Sequence, residues 1–97
     1  MKKLMLKPVN ILDSLAKRYV WWESVEWSYS HPLVFLANVM NLGSWDDIQL
    51  LRATTGDALL MMVLSNAPPG VFSYRSWDYW HAKFGIMPIP SLPTRKL

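Results

Sequence analysis

The chain contains no cysteine, which excludes disulfide bonds and metal sites built on thiolates. Without disulfides nothing indicates an oxidising compartment, so we predict a cytoplasmic protein. Charged residues are also scarce, at 18% of 97 residues, whereas hydrophobic residues make up 52%. This balance excludes a disordered chain and leaves little polar surface for an isolated domain. We therefore expect one folded core and some apolar surface that serves as an interface.

Long apolar runs are missing as well. The longest uninterrupted run, residues 58–64, is far shorter than the roughly 20 residues that a membrane-spanning helix needs. Near the N-terminus, Lys7 and Pro8 interrupt the apolar residues that a secretory signal would require. The sequence therefore predicts neither a signal peptide nor a membrane partner.

Motifs for cofactors and metals are absent too. The four glycines fall at the ends of predicted elements, and none belongs to a GxGxxG or GxxxxGK[ST] loop. The two histidines, His31 and His81, lack the spacing of a zinc site. Asp46 and Asp47 are adjacent, so on a helix their side chains point about 100° apart and are best explained as capping charges. We expect no metal and no cofactor.

One pair of residues has a spacing that catalysis could use. Asp78 and His81 are three positions apart, close enough on a helix for the carboxylate to orient the imidazole. Ser73 and Ser76 lie nearby, but no glycine-flanked turn presents either hydroxyl as a nucleophile, and helix capping accounts for them. We predict a helix-surface pair and a protein that is not an enzyme.

Helical periodicity separated by turn signals runs along most of the chain, and no segment shows the sustained alternation of a strand. The sequence predicts an all-α fold, a compact bundle of four to five short helices over residues 1–85. Three prolines in residues 86–97 predict an extended, Pro-rich C-terminal tail. Residues 21–30 mix aromatic and polar side chains and are predicted as a loop, although a helical turn or a strand is also compatible with them.

Turn and capping residues place the predicted helices. Asn10 is expected to cap the first helix, His31-Pro32 to start the second, Ser44 to cap the third, Asp57 to start the fourth and Ser73 to cap the last. Gly43 and Gly85 are expected at the ends of the second and last helices, with Gly43 in the left-handed conformation. Side chains predicted to face the core include Ile11, Leu12, Leu15, Tyr19 and Trp22 on the first helix and Trp45, Ile48 and Leu51 on the third.

Positive charge is concentrated at the two ends of the chain. Residues 1–18 carry five basic side chains and one acidic one, and Arg95 and Lys96 follow the last acidic residue. Binding of nucleic acid through these ends is the alternative function, and it ranks second because no continuous basic stripe is present. A helix-turn-helix over residues 32–55 would present Trp45, Asp46 and Asp47, whose two carboxylates would repel phosphates.

Six tryptophans are the most unusual feature of so short a chain. Large, rigid aromatic side chains dominate the energetics of protein interfaces. Trp21, Trp22 and Trp27 lie in the segment with the weakest core periodicity. These three side chains are therefore predicted either to contact a partner or to fold back over the core as a lid.

Three stretches of the chain form a distinctive combination. The first is residues 19–22, the second is residues 39–43 with Asp46 and Asp47, and the third is residues 69–73 with 75–77 and 79–81. Together they resemble a family of small bacterial proteins that are often encoded beside nucleotidyltransferase-like toxins of the abortive-infection type. The Pro-rich basic end, residues 90–96, extends the similarity. The resemblance implies an antitoxin-like partner protein and assigns no site residues.

The sequence as a whole predicts a non-enzymatic protein-binding module. Its partner is expected to be another protein, with a nucleotidyltransferase toxin as the candidate that the resemblance supplies, and a homodimer is the alternative. The residues predicted to bind the partner are Trp21, Trp22, Trp27, Arg75, Trp77, His81, Arg95 and Lys96.

Overall fold

The structure is a computed structural model that describes residue 6 and residues 9–94. It confirms the all-α fold, because this part of the chain contains helices and no strand. Six helices are present in it rather than four to five, since a helix lies within the segment that was predicted as a loop. The helices are α1 (Asn10–Tyr19), α2 (Val25–Ser30), α3 (Pro32–Leu42), α4 (Trp45–Thr55), α5 (Asp57–Ser65) and α6 (Tyr74–Lys83).

Helix α2 is the element that the sequence prediction missed. Ser24 caps it, because its hydroxyl accepts a hydrogen bond from the Trp27 amide at 3.0 Å. The helix has only six residues. So short a helix shows less than two turns of periodicity, and its stability comes from packing against α1 and α3 rather than from local propensity.

The predicted starts of three other helices are confirmed. Pro32 occupies the first turn of α3, where its missing N–H leaves no partner unsatisfied. The hydroxyls of Ser44 and Ser73 accept hydrogen bonds from the amides of Asp47 and Ser76, each at 3.2 Å. These side chains define the starts of α4 and α6 as predicted. At α1 the prediction was wrong, since the helix begins one residue earlier than expected, without a side-chain cap.

The two glycines at helix ends behave differently. Gly85 has φ of +69° and follows α6, and the next amide donates to the carbonyl of His81 at 2.9 Å, which closes the helix as predicted. Gly43 has φ of −63° and ψ of 144°, so the predicted left-handed conformation is wrong. A side chain is excluded at Gly43 by space instead, because a Cβ there would lie 2.6 Å from the Val39 carbonyl oxygen.

Helix α3 is the centre of the molecule. It packs against the other five helices, which explains why its sequence is apolar on almost every side. The core around it contains large, fully buried apolar side chains from several helices. Among them are Phe35, Leu36 and Val39 of α3 itself, Leu51 of α4, Leu60 and Val63 of α5, and Trp80 of α6.

Residues 86–94 form no helix and pack against the helical domain. The indole N–H of Trp77 donates to the Pro90 carbonyl at 2.7 Å, and the Gly70 amide donates to the Pro93 carbonyl at 3.2 Å. We call residues 86–94 the tail segment. Within the described residues, no helix has both the length and the apolar character that crossing a bilayer requires.

Candidate functional site

Trp21 and Trp22 lie in the turn between α1 and α2. Trp21 is 73% exposed and Trp22 is also exposed, with their ring centroids 5.6 Å apart in an edge-to-face arrangement. Trp22 was predicted to face the core together with Leu12 and Leu15, which are buried. That prediction was wrong for Trp22 because α1 ends at Tyr19, so the following residues leave the phase of the helix. The two rings form an exposed apolar surface.

Trp27 belongs to a different environment. Its ring is partly buried against the core and stacks on the imidazole of His31 at a centroid distance of 4.0 Å. The Nδ1 atom of His31 is 2.8 Å from the carbonyl oxygen of Trp27, which fixes the stack. Trp27 therefore has the lid-like position that was one of the two alternatives for this residue.

Trp77 and His81, both predicted to bind a partner, are almost completely buried. They lie four residues apart on the inner side of α6, and the His81 Nδ1 is 2.7 Å from the Trp77 carbonyl oxygen. With the tail segment in place, both side chains are covered by it and by the core, so neither belongs to the exposed surface, and their contact with a partner stays a prediction. Asp78 is exposed and makes no hydrogen bond to His81, so the predicted helix-surface pair is not formed.

Arg75 lies at the edge of a cleft of about 290 Å³ between α6 and the junction of α3 and α4. We call this cavity the α6 cleft. Trp45, which is 65% exposed, and Tyr79, which is 44% exposed, stand on its rim with Arg75. The lining residues are Met40, Asn41, Gly43, Trp45, Ile48, Arg75, Ser76, Tyr79 and Trp80.

The exposure of Trp45 contradicts its predicted place in the buried row of α4. That row runs through Asp47, Ile48 and Leu51, all of which are buried. Trp45 and Asp47 are two positions apart, which is a rotation of about 200° around the helix axis. Because Asp47 faces α1, Trp45 faces the opposite side of α4 and its indole lies at the cleft.

The α6 cleft is held open by hydrogen bonds between α3 and α6. The Ser76 hydroxyl donates to the Asn41 carbonyl at 3.2 Å, and the Asn41 side-chain oxygen accepts from the Ser73 amide at 3.0 Å. The Trp80 indole N–H donates to the Met40 carbonyl at 3.0 Å. These three hydrogen bonds fix the end of α3 against α6. The two walls of the cleft are therefore held in place before any partner binds.

Arg52 of α4 and Arg75 at the cleft differ in whether they form an ion pair. Arg52 forms a two-point ion pair with Asp57, with both N–O distances at 2.8 Å. Hydrogen bonding to Arg52 lowers the pKa of Asp57, and the same bond raises the pKa of Arg52. Arg75, in contrast, forms no ion pair with any residue of the described part of the chain. Its guanidinium is available at the rim of the cleft.

A polar cluster that sequence reasoning missed fixes the start of α4. The Tyr19 hydroxyl donates to the Asp47 carboxylate and accepts from the Ser44 amide at 3.2 Å, and Arg18 contacts the same carboxylate at 2.7 Å. The hydrogen bond from Tyr19, followed by that from Arg18, lowers the pKa of Asp47 against the opposing effect of burial. Asp47 was predicted only as a capping charge. Its side chain ties α4 to α1 and thereby positions the neighbouring Trp45.

Two predicted contact residues, Arg95 and Lys96, lie outside the described residues. Among residues 6 and 9–94, no three histidine, aspartate or glutamate side chains are grouped so that they could hold a metal ion. Comparison of the chain with protein-family models, curated proteins and solved structures gives no match. The geometry of the exposed aromatic surfaces is therefore the basis for inferring function.

Proposed function

We propose that the protein is a non-enzymatic protein-binding domain and that the α6 cleft is its docking site. The observation that carries this proposal is the rim of the cleft, where Trp45, Arg75 and Tyr79 are all exposed around an apolar floor. Tryptophan, tyrosine and arginine are the three residue types most enriched among interface residues that dominate binding energy. A preformed cavity also lowers the entropic cost of binding.

The size and charge of the cleft define the segment that it would accept. Its volume of about 290 Å³ is just below the roughly 300–1,000 Å³ typical of ligand pockets, so it suits one large side chain with its neighbours. The guanidinium of Arg75, which has no ion-pair partner within residues 9–94, can bind a carboxylate through two parallel hydrogen bonds. The proposed ligand is therefore a protein segment with an aromatic or large aliphatic anchor next to an acidic residue.

Selection from a displayed peptide library tests this chemistry directly, because the library samples many different segments at once. Peptides selected on the wild-type protein should share an apolar anchor and an adjacent aspartate or glutamate. The same library panned on the Trp45→Ala variant should lose these sequences. If the selected peptides carry no acidic residue, or are equally enriched on the variant, the assignment of the cleft is wrong.

The sequence resemblance supplies a specific partner to test within this proposal. An antitoxin-like protein would use the cleft to cover a cytoplasmic nucleotidyltransferase toxin. Co-expression with the product of the adjacent gene, followed by affinity purification, should recover a complex in which a nucleotidyltransferase activity is inhibited. Absence of a complex would remove the toxin as partner and leave the peptide selection as the test of the cleft.

The exposed pair Trp21 and Trp22 supports a second proposal, a homodimer that buries both rings against their symmetry mates. Sedimentation measurements should then give a dimer for the wild-type chain and a monomer for the Trp21→Ser variant. A wild-type chain that sediments as a monomer at about 100 μM would exclude this interface, since stable homodimers have far lower dissociation constants.

A further inference from the structure

Two hydrogen bonds hold the tail segment to the rest of the protein through its main chain. The acceptors at Pro90 and Pro93 are carbonyl oxygens, and their donors, the Trp77 indole N–H and the Gly70 amide, belong to the helical domain. Every residue type supplies a carbonyl oxygen. These two hydrogen bonds therefore do not depend on which side chains the bound segment carries.

The side chains of the tail segment that meet the core recur at every third position. They are those of Ile86, Ile89 and Leu92, each partly buried against the hydrophobic core. The residues between Ile86 and Leu92, such as Met87 and Pro90, are exposed. A repeat of three is the period of a polyproline-type extended chain, so the tail segment presents apolar residues to the groove at that spacing, with prolines between them.

The tail segment does not fill its groove. A cavity of about 560 Å³ remains between it and the helices, lined on the helix side by Leu33, Leu64 and His81 and on the tail side by Pro90, Ser91 and Pro93. Since His81 Nδ1 lies 2.7 Å from the Trp77 carbonyl, that nitrogen carries the proton, and the other ring nitrogen has no partner among the described residues. The cavity is open to solvent, so a larger side chain entering it would contact Leu33 and Leu64 and remove apolar surface from water that the tail leaves uncovered.

We propose that this groove is a binding site for an extended, proline-rich segment of a partner protein, and that the tail segment occupies it as a built-in competitor. The partner segment carries an aliphatic residue at every third position and a side chain larger than serine where Ser91 faces the cavity. It binds by displacing the tail. This groove is separate from the α6 cleft, so evidence against one site does not count against the other.

The competition makes the proposal measurable in the full-length protein. A tethered tail competes at an effective concentration on the order of millimolar, so a free peptide binds the wild-type chain weakly. Ile89→Asp places a charge in a half-buried contact of the tail and leaves the groove residues unchanged. A fluorescein-labelled peptide of residues 86–94 should bind this variant at least tenfold more tightly than the wild type by fluorescence anisotropy.

Matched controls separate groove binding from a general loss of structure. Met87→Asp alters an exposed residue of the same segment and should leave peptide affinity at the wild-type value. The labelled peptide carrying Ile89→Asp should bind neither chain. A peptide carrying Ser91→Leu should bind the Ile89→Asp variant at least fivefold more tightly than the parent peptide, because it fills the cavity.

Circular dichroism establishes that each variant remains helical, and the milder Leu92→Ser replaces Ile89→Asp if that variant unfolds. The proposal is overturned if a folded tail variant binds the labelled peptide no more tightly than the wild type. It is also overturned if the peptide and its Ile89→Asp form bind equally well.

Discussion

Removal of the Tyr19 hydroxyl tests whether the cluster around Asp47 fixes α4 against α1. In the Tyr19→Phe variant the buried Asp47 carboxylate loses one hydrogen-bond donor, and the Ser44 amide loses its acceptor. Hydrogen bonds to charged groups contribute about 1.5–3 kcal/mol. Tyr19 is only partly buried, which places the expected loss at the lower end, about 1.5–2 kcal/mol.

A double-mutant cycle isolates the contact itself. Asp47→Asn removes the charge at nearly constant shape, so the cycle of Tyr19→Phe with Asp47→Asn should give a coupling free energy of about 1–2 kcal/mol. Tyr74→Phe is the matched control, because Tyr74 is 70% exposed and makes no hydrogen bond to a described residue. Its effect should stay within about 0.5 kcal/mol.

Urea denaturation at pH 7, followed by far-ultraviolet circular dichroism, measures the free energy of unfolding of each variant. A coupling free energy below about 0.5 kcal/mol would refute the role of the cluster, because mutations at distant, independent sites already deviate from additivity by that amount. An altered dependence of the free energy on urea concentration would instead indicate a changed denatured state.

The cluster also predicts a pH dependence with a defined sign. The pKa of Asp47 is lowered in the folded state, first by the hydrogen bond from Tyr19 and then by Arg18. Its contribution is therefore complete above the unfolded pKa of about 3.9 and is lost as the pH falls through the lower folded value. Between about pH 5 and 3, the wild type should lose more stability than the Asp47→Asn variant. Two further changes probe single positions in the fold. Ser28→Ala should raise the free energy of unfolding by about 1 kcal/mol, because the buried hydroxyl has no hydrogen-bond partner among the described residues; a lower free energy in urea denaturation would contradict the unsatisfied hydroxyl. Gly43→Ala should lower the free energy of unfolding by about 2 kcal/mol, since the new Cβ would meet the Val39 carbonyl at 2.6 Å. A thermal midpoint equal to that of the wild type would show that the junction of α3 and α4 can yield.

The local features of the fold could be predicted from the sequence because they depend on neighbouring residues. Ser44 and Ser73 each cap a helix through an amide three positions later, and Pro32 fits only the first turn. Helix α2 was not predicted because its six residues are too few to show the hydrophobic periodicity of a helix. Its N-cap, Ser24, and the acidic Glu26 in its first turn were the available signals.

The candidate site could not be predicted, because it depends on contacts between distant segments. Tyr19 and Asp47 are 28 residues apart, and no local pattern joins them. The α6 cleft combines the end of α3, the start of α4 and one side of α6. Aromatic residues lie on both sides of α6, so periodicity alone did not separate the buried Trp77 from the exposed Tyr79.

Titration of one labelled peptide from the library selection tests the central claim most directly. Its affinity should be compared between Tyr79→Ala, which removes part of the cleft rim, and Tyr74→Ala, which removes a more exposed tyrosine of the same helix outside the cleft. We expect Tyr79→Ala to weaken binding about 30-fold, the size of a 2 kcal/mol interface contribution, and Tyr74→Ala to leave it nearly unchanged. Equal affinities for the two variants would contradict the α6 cleft as the docking site.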